Sequence, residues 1–468
     1  MMQFLLLGLL FAQLPADPIE QQLKKFVDVY SVVEREAADP VAPGKGFYEG
    51  AIPGMLRRLD PHSVFFDPGQ FDQLKEMERS TRKGFGSVVS LVPGRVIVLQ
   101  TSPGTPSSKA GLIPGDEILA INGIRLDRLE FEELIGLLGE ARQHTVRIDV
   151  RRPGSPRLLD FLLTPAEVDT PSVERTFLLR PGVGYIRVSS FDALTGKQIG
   201  QAIEKLGGAK LSGLVLDLRN NPGGLLPAAL ETASLFLKPK QRILSVKGRS
   251  VKGEEINVPD SAIPYEFPLS VLVNAKSASA SEIVAGSLQD HKRAAIVGER
   301  SFGKGLVQSV FPLSSGTGMA LTTAFYYTPG GRSIQRHLSG QLDVATTRKD
   351  EGGIQPDVPV TPSRPTRLQT FLDATGSFTS FATDYISRNR RIVADFEASN
   401  AVLDEFQTAL SAKNVRPGIA EWSQEREWIR KRLRQEILNQ AVGVEKGDEV
   451  EAQLDAQVQA ALQALAIP

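Results

Sequence analysis

Two short stretches limit what this chain can fold into: Gly213-Leu214-Val215-Leu216-Asp217-Leu218 and Leu269-Ser270-Val271-Leu272-Val273. Apolar runs of this length, bounded by turns, read as buried strands. Each is followed by a turn and then a helical pattern, and this alternation, running from about 166 to 360, predicts an α/β domain. From about 83 to 165 the texture is different. Short β-type runs at Val88-Val89, Val96–Leu99, Glu117–Ile121 and Thr145–Val150 are punctuated by Gly and Pro, Asn122-Gly123 reads as a tight hairpin turn, and Leu129 to Leu138 reads as one helix. Residues from about 18 to 80 look helical and loop-like. There Leu23, Phe26, Val27 and Tyr30 share one helix face, and Pro61 breaks the pattern. Beyond about 366 helical spacing returns in Trp422, Ile429, Leu433 and Ile437, and again in Leu454, Val458 and Leu462.

A length of 468 residues suggests about three domains. Basic and acidic residues cancel at 54 each, and no run of Lys and Arg tracks a phosphate backbone, so nucleic acid is not an expected partner. Cysteine is absent, which excludes thiol catalysis, disulfides and thiolate metal sites. The apolar run Phe4 to Ala12, followed by Pro15-Ala16-Asp17, has the length of a signal-peptide core, although only Met1, Met2 and Gln3 stand where a basic segment is usual. The expectation is an exported, periplasmic or cell-envelope protein. No other segment approaches the ~18 consecutive apolar residues of a membrane span, so the mature chain is not expected to be transmembrane.

Two strand-to-helix junctions carry chemistry. In Asp217-Leu218-Arg219-Asn220-Asn221-Pro222-Gly223-Gly224-Leu225 two glycines let the backbone turn tightly and approach a bound group, and the amides of the following helix are natural donors to an anion. Any βα connection can use Pro-Gly-Gly, so this reading stands beside a purely structural one. In Val273-Asn274-Ala275-Lys276-Ser277-Ala278-Ser279-Ala280-Ser281-Glu282 a small-residue turn leaves a hydroxyl at a helix's positive end. The plainer reading is a helix capped by Ser279 with Glu282 completing a capping box, and three serines in five residues leave the nucleophile open. A serine needs a base. Of the four histidines, His62 and His144 lie outside the α/β region, and His291 and His337 belong to no recognisable triad motif. A lysine serves if burial disfavours its charged form. Lys304 stands between Gly303 and Gly305, beside Phe302 and just ahead of Val307.

Resemblance narrows these alternatives. The segment Ser102-Pro103-Gly104-Thr105-Pro106-Ser107-Ser108-Lys109-Ala110-Gly111-Leu112, with Gly115-Asp116-Glu117-Ile118-Leu119 after it, resembles the middle of a PDZ domain. Ser277-Ala278-Ser279-Ala280-Ser281-Glu282 looks like the nucleophile motif of the carboxyl-terminal processing (tail-specific) proteases, and Ser301-Phe302-Gly303-Lys304-Gly305-Leu306-Val307-Gln308 resembles their lysine motif. In that family the serine and lysine stand twenty-five positions apart, a spacing met here by Ser279 and Lys304. The resemblance implies Ser279 as nucleophile, Lys304 as base and Gln308 as the group that orients the lysine. It implies an oxyanion hole from Ala280 and from Gly223 or Gly224. It also implies a PDZ carboxylate loop at Gly84, Phe85 and Gly86, and neither cofactor nor metal. Leu59-Asp60-Pro61-His62-Ser63 and Tyr327–Gln335 are further family signatures. Asp290 stands where some relatives carry an important acid, but reads more simply as a helix-end salt-bridge partner.

The implied fold is multidomain α/β: a ClpP/crotonase-like α/β protease core with an α+β PDZ domain and a helical C-terminal extension. Residues 1–16 are then a signal peptide, 17–82 an N-terminal helical region, 83–165 the PDZ domain, 166–362 the core and 363–468 the extension. The implied partners are proteins or peptides with apolar C-termini, and both an adaptor protein and a homodimer are compatible with the pattern. This chain departs from the family by an insertion at 336–352 and by its long tail. Competing readings are an inert PDZ scaffold with a protease-like fold, a coenzyme A enzyme on a similar α/β core, and a trypsin-like PDZ protease, whose nucleophile motif is missing.

Overall fold

The computed structural model describes residues 18–42, 44–77, 81–92, 95–249, 253–336, 352–389 and 391–465. The run Phe4–Ala12, His337 and nearly all of the 336–352 insertion lie outside the described residues. The chain divides into two units, Met1–Phe71 with Ser309–Thr322, and Asp72–Gln308 with Thr323–Pro468.

In the first unit a helix spans Pro18–Glu36, and helical turns at Lys45–Ala51 lead into Ile52–Arg57. The helix stops ahead of Pro61, where the buried Asp60 carboxylate accepts the His62 and Ser63 amides at 2.7 and 2.9 Å and the Ser63 hydroxyl at 2.7 Å. On the first helix Tyr30 lies against Phe47, with ring centroids 4.8 Å apart, while Leu23, Phe26 and Val27 are exposed.

The second unit is built on a six-stranded sheet in the order Val173–Arg180, Val183–Val188, Gly213–Asp217, Leu269–Val273, Ala295–Gly298, Val358–Pro359. The first pair is antiparallel and the remaining strands run parallel. Every residue of Gly213–Asp217 and Leu269–Val273 is buried, as expected for strands covered on both faces. Alternate side chains divide between the faces. Leu214, Leu216, Val271 and Val273 join the core beneath the helices Thr195–Leu206, Leu226–Ser234 and Ala280–Asp290. Val215 and Leu272 point the other way, into a second core with Ala452, Val458, Ala461, Leu462 and Leu465. The last two helices, Val444–Leu454 and Ala456–Ala464, are therefore a third layer of the core. Sequence spacing puts Leu454, Val458 and Leu462 on one helix. The chain instead breaks at Asp455, whose carboxylate caps the final helix by accepting the Gln457 amide at 2.8 Å, and Leu454 is exposed.

Residues 87–163 form a separate small sheet in the order Ser87–Val92, Arg95–Thr101, Glu117–Ile121, Val146–Arg151, Leu159–Leu163, closed by the helix Phe131–Ala141. The expected turn is present, with Asn122 and Gly123 at φ of 50° and 79°. The buried Glu117 takes Arg95 at 2.6 Å and also pairs with Arg151, and Arg95 reaches the Ser380 hydroxyl on the helix Ser377–Arg388. That helix belongs to a helical cluster centred on Phe378, Phe406, Ile429, Leu433 and Ile437. Among the described residues no helix is long and apolar enough to cross a membrane.

Candidate active site

Parallel strands bring the loops at their carboxyl ends to one edge of the sheet, where α/β folds place ligands. Three such loops meet here: Leu218–Leu225, Asn274–Ser279 and the segment 299–305. Asn221, fully buried, joins the first two. Its Nδ2 donates to the Val188 carbonyl at 2.9 Å, its Oδ1 accepts the Gly223 amide at 2.8 Å, and its own carbonyl accepts the Ala278 amide at 3.0 Å. Gly223 and Gly224 have φ of 99° and 146°. A Cβ on Gly223 would lie 2.8 Å from Ser279 Cβ and 3.0 Å from the Ala280 nitrogen, so only glycine lets this loop press against the serine turn. Gly224 is closed in equally, by the Phe191 carbonyl at 2.0 Å from a built Cβ.

The three serines separate cleanly. Ser277 and Ser281 are fully buried, and their hydroxyls donate to the carbonyls of Leu218 at 2.7 Å and Asn221 at 3.1 Å. Ser279 is partly accessible and stands at the N-cap of Ala280–Asp290 with φ 54° and ψ −112°. That conformation costs about 1–3 kcal/mol for a non-glycine residue and persists only where its surroundings hold it. Of the first-turn amides that follow it, those of Ser281 and Glu282 donate to the carbonyls of Ala278 at 3.1 Å and Ser279 at 2.8 Å.

Glu282 is part of what holds it. The side chain is fully buried and its two oxygens collect four donors. Oε2 accepts the backbone N–H of Ser279 and of Lys304, each at 2.8 Å, and Oε1 accepts the Gly303 amide at 2.6 Å and the Ser301 hydroxyl at 2.5 Å. Burial pushes its carboxyl above the usual range, and these four donors hold it back. The capping-box reading of Glu282 is thus half of the arrangement, and the other half reaches twenty residues ahead to the lysine loop. Lys304 is partly buried and Phe302, expected to help enclose it, is exposed. Gln308 lies on the strand Leu306–Pro312, four residues beyond Lys304. Tyr326 was not anticipated from sequence. It is buried, and its hydroxyl donates to the Lys304 carbonyl. His291 is turned elsewhere, with Nε2 at 2.7 Å from the Arg242 carbonyl. Asp290 pairs with Arg332 and accepts the Gly330 amide at 2.7 Å, pinning a neighbouring turn.

Behind the glycine loop, Arg219 is gripped from both sides. It forms hydrogen bonds to Asp217 at 2.6–3.0 Å, Asp455 at 2.5 Å and Gln457 at 2.9 Å. Burial works against its charge but the flanking aspartates outweigh it, leaving the guanidinium more firmly protonated than usual. In the small domain, the Phe85 and Gly86 carbonyls accept the Ser107 and Ser102 amides at 2.9 and 2.8 Å. A trans peptide plane then sends the Gly86 N–H away from that loop. Among the described residues Ser87–Val92 pairs only with Arg95–Thr101, which makes it an edge strand of this sheet.

A model of Peptidase family S41 matches residues 182–360, and one of the PDZ domain matches 97–152. The carboxy-terminal-processing protease of Bartonella bacilliformis is 36% identical over 325 residues, covering 67% of this chain and 73% of its own. This chain is a member of the carboxyl-terminal-processing proteases of family S41. The chloroplastic C-terminal processing peptidase of Tetradesmus obliquus is 31% identical over 402 residues, 78% of this chain and 83% of its own. A solved photosystem II D1 C-terminal processing protease aligns over 76% of this chain and 90% of its own at 32% identity, with a TM-score of 0.44. For a carboxyl-terminal-processing protease, the loops of this edge have a direct reading. Ser279, Lys304, Ala280, Gly223 and Gly224 converge, but the Gly223 amide is committed to Asn221, so of the two glycines Gly224 keeps the freer donor. Glu282 and Tyr326 are the residues that motif reading passed over. Both lie far in sequence from what they touch, and neither carries a local signal beyond the cap.

Proposed function

We propose that this protease is a serine endopeptidase that cleaves proteins recognised by their C-terminal tails. The observation that carries the reading is the shared Glu282 oxygen, which ties the Ser279 and Lys304 backbones together while the Ser277 and Ser281 hydroxyls are committed to carbonyls. In this mechanism the neutral amine of Lys304, oriented by Gln308, takes the Ser279 proton as Oγ bonds to the peptide carbonyl carbon. The Ala280 and Gly224 amides receive the oxyanion, each such donor worth ~3 kcal/mol of barrier. The C–N bond then breaks with the proton passing to the leaving amine, and water hydrolyses the acyl-serine.

The PDZ domain takes the substrate's apolar tail as an added strand on Ser87–Val92, with the terminal carboxylate at Gly84-Phe85-Gly86. Tail capture both tethers the substrate and gates the site. Export to the cell envelope is part of the proposal, on the strength of the run Phe4–Ala12, and cell fractionation tests it.

Incubation of wild type, Ser277→Ala, Ser279→Ala and Ser281→Ala with an unfolded protein bearing an apolar tail tests the nucleophile. Only Ser279→Ala should be inert; normal cutting by that variant would overturn the assignment. Equal wild-type rates on free and amidated tails would remove tail recognition.

A further inference from the structure

We propose that Asn274 is a positioning residue: with Asn220 it forms a two-asparagine clasp that holds the glycine loop in register with the Ser279 turn. The inference deepens the reading of Ser279 as nucleophile and of the Gly224 and Ala280 amides as oxyanion donors, and it rests on that reading.

Asn274 follows the buried strand Leu269–Val273, where the chain leaves the sheet for the serine turn. Asn220 stands at the same edge, just past the neighbouring parallel strand Gly213–Asp217. The two side chains meet with complementary ends. Asn274 Oδ1 accepts the backbone N–H of Asn220 at 2.9 Å, and Asn274 Nδ2 donates to Asn220 Oδ1 at 2.9 Å. The same Asn274 oxygen accepts the Lys276 amide at 3.1 Å. The Asn274 backbone N–H donates to the Ser277 hydroxyl oxygen at 2.9 Å, which fixes the asparagine within the serine turn. One side chain therefore addresses both loops.

What the clasp holds is a choice between two backbone conformations. Leu218–Asn221 is a tight turn, closed by the Asn221 amide on the Leu218 carbonyl at 3.3 Å, with Asn220 at φ 59°. Asparagine tolerates that left-handed position better than most residues, yet a negative φ is the ordinary state of any residue with a side chain. Rotating the Arg219–Asn220 peptide gives the commoner turn and swings the Asn220 N–H away from Asn274. The clasp opposes that rotation. The next residue, Asn221, carries its Oδ1 to the Gly223 amide and its carbonyl to the Ala278 amide. A change of turn at Asn220 thus moves the residue that sets Gly223 and Gly224 against Ser279. Asn220 is exposed, so water competes for each bond and the clasp contributes direction more than stability.

The test measures kcat and KM on an unfolded protein with an apolar tail, at about pH 8 where lone carboxylates are ionised. The full chain carries Asn274→Ala, Asn274→Asp, Asn220→Asp or both aspartate substitutions, beside wild type and Ser279→Ala. Asn274→Ala should lose about tenfold in kcat with KM unchanged. Each single aspartate is the conservative variant and should stay within about twofold of wild type. Asn220→Asp keeps the acceptor that Asn274 Nδ2 needs, and Asn274→Asp is matched once the Asn220 amide turns over to present its Nδ2. With both substitutions two carboxylates meet and no donor is left between the side chains, so kcat should fall to the Asn274→Ala level. A side chain needed only for the local turn would not behave this way, because aspartate suits the same turns as asparagine. An Asn274→Ala enzyme within about twofold of wild type, a loss that lies in KM, or a double variant as fast as the single ones overturns the inference. Should Asn274→Ala or the double variant lack a cooperative thermal transition, Asn220→Gly carries the test. Glycine takes φ 59° freely and keeps the backbone N–H but loses the bond from Asn274 Nδ2. Its kcat should fall by about threefold or more, and an unchanged kcat overturns the inference. If Ser279→Ala cuts at the wild-type rate, the nucleophile reading fails and this inference with it. If Ser279→Ala is inert and the double variant cuts as fast as the single ones, only the clasp fails.

Discussion

Oε2 of Glu282 lies 2.8 Å from the backbone nitrogen of Lys304, two positions of the chain separated by a helix, a strand and a loop. Because the same oxygen also holds the Ser279 amide, the spacing of the proposed nucleophile and base is set through one buried atom. Glu282→Gln keeps the volume but turns an NH₂ group toward fixed N–H donors. A buried donor left without a partner costs about 1–3 kcal/mol. The variant should lose thermal stability and at least about tenfold in kcat, measured by melting and by initial rates. Wild-type kcat in Glu282→Gln would show that the link does not set the catalytic geometry.

Lys304→Arg should be as inactive as Lys304→Ala, a loss of about 10²-fold or more. A guanidinium keeps the positive charge but does not give up its proton near neutrality, so it cannot receive one from serine. Appreciable turnover by the arginine variant counts against lysine as base.

Gly223→Ala should fold and be inactive. The residue sits at φ 99°, and the new Cβ would fall 2.7 Å from the Ala278 carbonyl and 2.8 Å from Ser279 Cβ. Both partners are backbone or backbone-proximal and cannot swing aside. The strain, about 1–3 kcal/mol, is released by pushing the glycine loop off the serine turn. A variant with wild-type rates would mean that the loop's contact with Ser279 is dispensable.

Asp448 gives a pH dependence unrelated to catalysis. Burial, chiefly, raises its carboxyl from 3.8 to about 6, with Arg175 at 3.1 Å opposing the rise and Glu451 adding to it. A folded-state value above the unfolded one means that the fold holds the proton more tightly. The stabilisation is complete below 3.8 and is lost as pH rises through about 6. Asp448→Asn, which cannot ionise, should therefore melt higher than wild type at about pH 8, by at most about 3 kcal/mol, with the gap closing toward about pH 4. A variant less stable than wild type at about pH 8 would show that the Arg175 pair outweighs burial.

The parts of this molecule legible in its sequence are those whose cause is local. Continuous apolar runs made Gly213–Asp217 and Leu269–Val273 recognisable as buried strands, and Asn122-Gly123 announced its turn, because periodicity and turn chemistry act within a few residues. The small-residue junctions likewise marked where the loops of the site would gather. What stayed hidden depends on distant partners. Glu282 looked like a cap because its helix-side bond is local, whereas its bonds to Ser301, Gly303 and Lys304 need the sheet to close first. Tyr326 sits in a strand where an aromatic residue ordinarily means core, and nothing nearby says that its hydroxyl reaches the Lys304 carbonyl. The spacing of Val458 and Leu462 identified a helix but could not say that it covers Val215 and Leu272, and the cap at Asp455 broke the helix that Leu454 was expected to share.

The grip of Asp455 and Gln457 on Arg219 also governs timing. A ribosome delivers the chain from its N-terminus, so the loop bearing Gly223 and Gly224 emerges more than two hundred residues before the side chains that brace it from behind. While those late residues are still unmade, Arg219 has Asp217 but not its second pair of partners. A nascent copy therefore carries its serine and lysine before the proposed oxyanion loop is braced, and on that reading cutting competence arrives with some of the last-translated residues. By the same logic, a nick just ahead of Asp455 in the finished protein would disarm it without touching the catalytic edge.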